Sequence, residues 1–222
     1  MTLLHEEQRR QVARTAVALV ETGLVVNTSG NASMRIADQI LITPSSQPYA
    51  SLEPKDIVVL DLQGNPVDGD LVPSSETPLH LSVYAAHRDV GAIVHTHSVF
   101  ATAVSTLLQE LPAIHYQVAD LGGPVPVAPY HTFGTADLAA AVTDALHGRS
   151  AALMQNHGAI TVARDIDQAL ARSVTLEWLA RVYLIAQRSG TPTLVDDQEL
   201  VRVQQRMAEL ADEQRERLLR RT

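Results

Sequence analysis

The stretch Ala92-Ile93-Val94-His95-Thr96-His97 constrains this chain more than any other. Its apolar start shows no polar alternation, so as a β-strand it is buried, with cover on both faces. Residues two apart on a strand point to the same side, so His95 and His97 project together. A third histidine, His157, follows a second apolar run, Ala151-Ala152-Leu153-Met154, and precedes Gly158. Two imidazoles from a strand and one from a turn present three nitrogens to a metal ion and leave a position open. That is the arrangement of catalytic rather than structural zinc. Glu76, in Pro73-Ser74-Ser75-Glu76, is the candidate carboxylate for the open side. A histidine on an apolar strand is more often a hydrogen-bonded core residue, and no spacing rule ties His157 to the other two. The residues alone therefore leave a metal site and a core role both open.

A length of 222 residues suits one compact domain, residues 1–222, with a full core and a short appendage. No apolar run approaches the length that spans a bilayer. The start, Met1-Thr2-Leu3-Leu4-His5-Glu6-Glu7, turns acidic at once and lacks the plan of a signal peptide, so a cytoplasmic enzyme is expected. The chain has no cysteine, which leaves histidine and carboxylate as the donors for any transition metal. A net charge of −8 argues against nonspecific binding to nucleic acid, which needs lysine and arginine to displace counterions. Lys55, between Pro54 and Asp56, is the only lysine. A Schiff-base mechanism needs a lysine amine in a desolvated pocket. Lys55 stands in a polar loop, so any carbanion stabilisation falls to a metal.

Apolar spacing predicts a helix over residues 4–21, ending near Gly23. Strands are expected at 34–36 and 40–42, at 57–60, and near Val67, with Gln63-Gly64-Asn65 as a hairpin turn. A helix starts at Ser74 or Ser75 and runs to about His87, with Pro78 in its first turn. After the histidine strand comes a helix over 98–108, capped by Ser98. A strand over 125–128 follows, whose Pro126 suggests a sheet edge. Thr135 caps a helix to about Leu146, and Ile160-Thr161-Val162 forms the return strand of the His157 hairpin. A long helix covers 165–188. A charged amphipathic helix over 197–220 presents Leu200, Val203, Met207, Leu210, Leu218 and Leu219, and reads as a packing helix. Strands in both halves with helices between them indicate an α/β fold whose sheet is covered on both faces.

Several segments together resemble one family. They are Asn27-Thr28-Ser29-Gly30-Asn31-Ala32-Ser33, Leu41-Ile42-Thr43-Pro44, Pro73-Ser74-Ser75-Glu76, His95-Thr96-His97, Ala128-Pro129-Tyr130 with Thr132-Phe133-Gly134, and Asn156-His157-Gly158, in that order. Each is weak alone, and the ordered set is specific. The chain resembles the class II aldolase/adducin family over about residues 5–190, and within it the L-fuculose-1-phosphate branch. The resemblance implies a three-layer α/β/α domain around a nine-stranded, mostly antiparallel sheet. It also implies a C4 homotetramer with active sites at subunit boundaries and one Zn2+ per subunit.

By the same resemblance His95, His97 and His157 are the zinc ligands. Glu76 is the fourth ligand at rest and the base once substrate displaces it. Thr28, Ser29, Gly30, Asn31, Ser74 and Ser75 form the phosphate cradle. Glycine there lets the backbone approach, and serines at a helix start offer donors where the dipole favours an anion. Tyr116 reaches a neighbouring subunit's site and handles the proton on the aldehyde oxygen. The implied reaction is reversible cleavage of a ketose 1-phosphate, such as L-fuculose 1-phosphate, through a metal-stabilised enediolate. Its products are dihydroxyacetone phosphate and an aldehyde, L-lactaldehyde for that substrate. The same scaffold serves sugar-phosphate epimerases, dehydratases and decarboxylases, and adducin-like interaction proteins without chemistry. Glu76 favours the aldolase over the epimerase, which carries aspartate at that position. Asp120 stands in a region where the related 4-epimerases use an aspartate, and His131 stands where a small residue is common.

Overall fold

The computed structural model describes residues 3–219; Met1, Thr2 and residues 220–222 lie outside it. The side chains of Gln214, Leu218 and Leu219 also lie outside the description, as does the expected helix end at Arg220. Nine strands form one sheet: β1 (Asn31–Ile36), β2 (Gln39–Ile42), β3 (Val58–Asp61), β4 (Pro66–Asp68), β5 (Ala92–Thr96), β6 (Glu110–Leu111), β7 (Val125–Ala128), β8 (Ala151–Met154) and β9 (Gly158–Ala163). Their order is β4-β3-β2-β1-β5-β9-β8-β7-β6. Every neighbouring pair is antiparallel except β7 and β8. That parallel pair is joined through helix α4 (Ala136–Ala145), the crossover that parallel strands require.

Alternation along each strand divides the core between two faces. Ile40, Ile42, Val58, Leu60, Ile93, Ile160 and Val162 pack under α2 (Thr77–Ala86) and α4. Leu41, Val59, Ala92 and Val94 pack on the other face under α1 (Glu6–Glu21) and the start of α5 (Ile166–Gln187). Ala151, Leu153 and Ala159 continue that second face against α3 (Val99–Leu107) and the rest of α5. Apolar residues on both sides of the strands give the continuous runs seen in the sequence, because neither face meets water. The result is the expected three-layer α/β/α domain.

Three local details differ from expectation. The helix after Ser74-Ser75 begins at Thr77, and the serines form the turn before it: Thr77 N–H donates to the Ser74 carbonyl. Ser98 occupies the N-cap position of α3 without capping it. Its hydroxyl is buried with no partner, and Glu177 of α5 accepts from the N–H groups of Phe100 and Ala101 at 2.9 and 2.8 Å instead. Pro126 does not mark the outermost strand, since the two-residue β6 pairs beyond β7. A strand that short carries no periodicity to read.

The C-terminal helix α6 (Asp197–Leu219) packs through Leu200, Val203 and Met207, as its pattern suggested, while Leu210 is exposed. At the opposite end of the molecule, Arg9 of α1 is fully buried. Its guanidinium donates to the carbonyls of Leu4 and Ile57 at 2.8 and 2.5 Å and pairs with Asp68 at the end of β4. This side chain pins α1 to the β3–β4 edge. Arg9→Met would keep the stem volume and strand the Ile57 carbonyl. The expected cost is about 3 kcal/mol, since most of the loss comes from the unpaired buried group and less from half-exposed Asp68. Chemical denaturation checks this: the midpoint should fall, and an unchanged midpoint would show the pin to be dispensable.

Candidate metal centre

β5 lies between β1 and β9, so its end sits in the middle of the sheet. His95 pairs in register with Asn31 of β1 and Ile160 of β9, and it is wholly buried. β5 stops at Thr96. His97 therefore lies one residue past the strand, anchored by its N–H to the Leu24 carbonyl at 3.0 Å. The expected shared direction of the two rings nevertheless holds: their centroids are 4.8 Å apart. His157 arrives from the tight turn between β8 and β9, where Asn156 adopts a left-handed conformation. Its ring lies 5.0 Å from that of His95 and 4.9 Å from that of His97.

Glu76, at the N-cap of α2, makes no capping bond to its own helix. Its carboxylate turns inward instead. Oε2 lies 3.0 Å from Nε2 of His95 and accepts from Nδ2 of Asn31 at 2.9 Å, while Oε1 lies 3.4 Å from Nε2 of His157. One ligand atom from each of Glu76, His95, His97 and His157 falls within 4.8 Å of the others. These four residues fit a divalent cation on three counts. Oε1 of Glu76 is buried without a hydrogen-bond partner. Nδ1 of His95 lies 2.9 Å from the Ala159 carbonyl, so the ring donates there and turns Nε2 to the cluster. The set of three imidazoles and a carboxylate is also that of zinc enzymes.

Electrostatics follow from burial and crowding in the metal-free protein. Burial alone would raise the Glu76 carboxyl. His95, His157 and the Asn31 N–H outweigh it and hold the carboxyl below its ordinary range. Burial disfavours a charged His95, yet adjacent Glu76 keeps its pKa above the usual value. His97 and His157 are pushed down to about 3 and about 4, by burial first and by the charge on His95 second. One proton thus sits between His95 and Glu76, and the other two rings stay neutral.

The centre opens into a cavity of about 540 Å³. Thr28, Ser29, Gly30, Asn31, Ser74 and Ser75, the expected phosphate residues, all line it, together with Glu76, His97 and His157. Gly30 has φ +81°, and a Cβ there would stand 2.7 Å from the His95 carbonyl oxygen, so only glycine fits. Asn31 has a second task, because its amide is engaged by Glu76 and by His80. Tyr116 does not line this cavity. It opens a 3-10 turn (Tyr116–Leu121), half exposed, with its ring against His115. Asp120 lies in the same turn and pairs with Arg172 at 3.2 Å. Lys55 is exposed and paired with Glu53, away from the cavity.

Tyr49, Ser45, Ser46, Tyr130, His131 and Phe133 also line the cavity, and sequence reasoning gave none of them a role. Tyr49 donates to the Gly30 carbonyl at 2.5 Å and holds the glycine turn, and burial raises its phenol to about 12. Its sequence signal was slight, a tyrosine just beyond the Leu41-Ile42-Thr43-Pro44 motif with no pattern of its own. His80 belongs to no sequence motif, yet it is wholly buried beside the centre, with its pKa held down to about 3 by burial.

A covered, mostly antiparallel sheet that delivers three imidazoles and a carboxylate to the wall of one cavity is the setting of a metal-dependent, aldolase-type enzyme. The chain belongs to the class II aldolase and adducin family: residues 10–184 match the family model described as the Class II Aldolase and Adducin N-terminal domain. It is 41% identical over 192 residues to the L-fuculose phosphate aldolase of Escherichia coli strain K12, covering 85% of this chain and 89% of that one. It is 36% identical over 200 residues to the 5-deoxy-D-ribulose 1-phosphate aldolase of Bacillus thuringiensis serovar kurstaki, covering 89% and 94%. A solved L-fuculose 1-phosphate aldolase superposes with a TM-score of 0.90 at 34% identity, covering 93% of this chain and 98% of that one.

The charge arrangement makes cation binding pH-dependent with a definite sign. Below the raised pKa of His95, a cation must expel one proton to reach Nε2. His97 and His157 are already neutral and Glu76 already ionised, so they release none. Apparent affinity for Zn2+ should therefore weaken by about tenfold per unit as pH falls below the His95 pKa. Calorimetry in two buffers of different ionisation enthalpy should give about one proton per ion near pH 6. Release of none, or of three, would contradict the arrangement.

Proposed function

We propose that this protein is a zinc-dependent aldolase that cleaves a ketose 1-phosphate reversibly to dihydroxyacetone phosphate and an aldehyde. L-fuculose 1-phosphate is the leading substrate, with L-lactaldehyde as its second product. The observation that carries the reading is Glu76. Its Oε1 is buried, unpartnered and turned toward imidazole nitrogen, on the wall of the same cavity as the Gly30 turn and Ser74-Ser75. His95, His97 and His157 would hold one zinc ion per chain, with Glu76 as fourth ligand at rest. The ion supplies Lewis acidity, stabilising the negative charge that develops on the sugar fragment.

The chain's own residues do the rest. The phosphate rests among neutral donors, the backbone of Thr28 to Asn31 and the hydroxyls of Ser74 and Ser75, which suits a chain with one lysine. In cleavage the substrate's C4 hydroxyl gives up its proton, the C3–C4 bond breaks, and its electron pair stays with the dihydroxyacetone phosphate half. Glu76, protonated once substrate displaces it, then delivers that proton to C3, and the proton released from the C4 hydroxyl restores it through solvent; in condensation the ionised carboxylate removes the C3 proton. A carboxylate in a partly desolvated pocket is suited to both directions. Tyr116 of a neighbouring chain would exchange the proton with the aldehyde oxygen. Its place outside its own cavity agrees with that role, and so does a C4 homotetramer. Exposed Val99, Leu107 and Trp178 offer apolar surface for such contacts. A cytoplasmic setting is part of the same reading.

A second reading keeps the chemistry and shortens the sugar. The likeness to a 5-deoxy-D-ribulose 1-phosphate aldolase supports a 5-deoxypentulose 1-phosphate, whose aldehyde half is smaller. Both substrates should be incubated with the zinc-loaded protein and assayed for dihydroxyacetone phosphate. Formation from L-fuculose 1-phosphate at the higher kcat/KM is expected. No product from either at high enzyme concentration would remove the aldolase reading, and turnover of L-ribulose 5-phosphate to D-xylulose 5-phosphate would replace it with an epimerase. Glu76→Gln should retain zinc on the three histidines and lose about a thousandfold in kcat, the scale of a lost general base. Unchanged turnover would dismiss Glu76 as the base.

A further inference from the structure

A line of buried polar groups runs from the metal centre into the interface between β1 and α2. Glu76 Oε2 accepts from Asn31 Nδ2 at 2.9 Å. Asn31 Oδ1 lies 2.5 Å from His80 Nε2, and His80 Nδ1 lies 2.6 Å from the Ser33 hydroxyl. Ser33 in turn lies 2.8 Å from the Tyr84 hydroxyl. All five residues are buried, His80 and Ser33 completely. The line follows from two repeats in register. Glu76, His80 and Tyr84 are four apart and share one ridge of α2 and its cap, while Asn31 and Ser33 are two apart and share one face of β1.

Only one arrangement of hydrogens satisfies this line. A carboxylate accepts and never donates, so Asn31 must turn its NH2 to Glu76 and its oxygen to His80. That oxygen only accepts, so Nε2 of His80 carries the hydrogen. Burial keeps the ring neutral, so Nδ1 is a bare acceptor and takes the Ser33 proton. The Ser33 oxygen then accepts from the Tyr84 phenol. The donors run one way, from Tyr84 to Glu76. Reversing any link sets donor against donor, or acceptor against acceptor, among buried side chains, and each such group is costly to bury.

We propose that His80 is a positioning residue for Glu76: its Nε2–H locks the Asn31 amide, which holds Oε2 and leaves Oε1 as the oxygen that faces the substrate and exchanges the proton. The proposal rests on Glu76 being the base of the reaction above. It explains why a histidine that reaches neither cavity nor metal ligands is kept wholly buried beside the centre. It also accounts for the inequality of the two Glu76 oxygens, one bonded and one free.

The tautomer is read without substrate or metal. In protein labelled with 15N-histidine, the His80 ring, assigned by its loss in His80→Gln, should show a protonated Nε2 and an unprotonated Nδ1. A protonated Nδ1 would overturn the proposal. In kinetics, His80→Ala should lower kcat by about 10- to 100-fold, as for lost outer partners of a ligand, with KM and zinc content little changed. His80→Gln, which can return an N–H toward Asn31, should recover most of that loss. Tyr84→Phe, at the far end, should cost less than His80→Ala. An unchanged kcat in His80→Ala, or an equal loss with Ala and Gln together with loss of zinc, would reduce His80 to a structural support. If His80→Ala does not fold, His80→Asn, whose shorter side chain falls short of the Asn31 amide, takes its place in the kinetic test, and wild-type kcat in His80→Asn overturns the proposal. A silent aldolase assay beside an Nε2–H signal would remove the proposed reaction and leave the hydrogen-bond line intact.

Discussion

A carboxylate pressed against three imidazoles inside an otherwise apolar sheet is the constraint on which the rest of this molecule turns. Such a cluster is costly to bury. Its charged pair, Glu76 and His95, is taken out of water, and Oε1 of Glu76 finds no donor among the described residues. The protein settles part of the cost by sharing a proton between Glu76 and His95 and by keeping His97 and His157 neutral. A divalent cation would settle the remainder, since it meets four donors at once. The family's chemistry is therefore written into an electrostatic problem that the fold creates at the end of β5.

The fold holds that problem in place by close backbone packing. β5 is clamped between β1 and β9, and at both contacts a glycine removes the Cβ that would intervene. Gly30 approaches the His95 carbonyl from one side. Gly158, directly after His157, lies so near the Thr96 carbonyl that a Cβ would stand 2.2 Å from it. The histidines are thus set by main chain, which is stiffer than loop or side chain. Above them α2 contributes Glu76 from its cap and His80 and Tyr84 from the next turns. One helix end supplies the carboxylate proposed as the base together with the groups proposed to orient it.

The anion side of the cavity is built on a different principle. The chain is acidic overall, its single lysine stands away from the cavity in an ion pair with Glu53, and among the described residues no lysine or arginine lines the cavity. A phosphate would be met by backbone N–H groups and hydroxyls. Neutral donors bind an anion by geometry, and they leave the positive charge of the site concentrated where the chemistry occurs.

The sequence by itself determined the layers of the fold and the donors of the site. Apolar runs without polar alternation implied strands covered on both faces. His95-Thr96-His97, His157 and Glu76, read through the ordered family motifs, named the residues that converge. These were legible because they depend on period and residue type, which are local properties. Tertiary structure alone decided where they lead. Strand order, the two-residue β6, the Glu177 carboxylate that replaces Ser98 as the cap of α3, and the pairing of Asp120 with Arg172 all depend on partners far away in the chain. So does the role of His80, a histidine with no motif of its own. Its meaning lies in a hydrogen-bond direction that runs from Tyr84 to Glu76 through residues of β1, and a direction of that kind exists only once strand and helix have met.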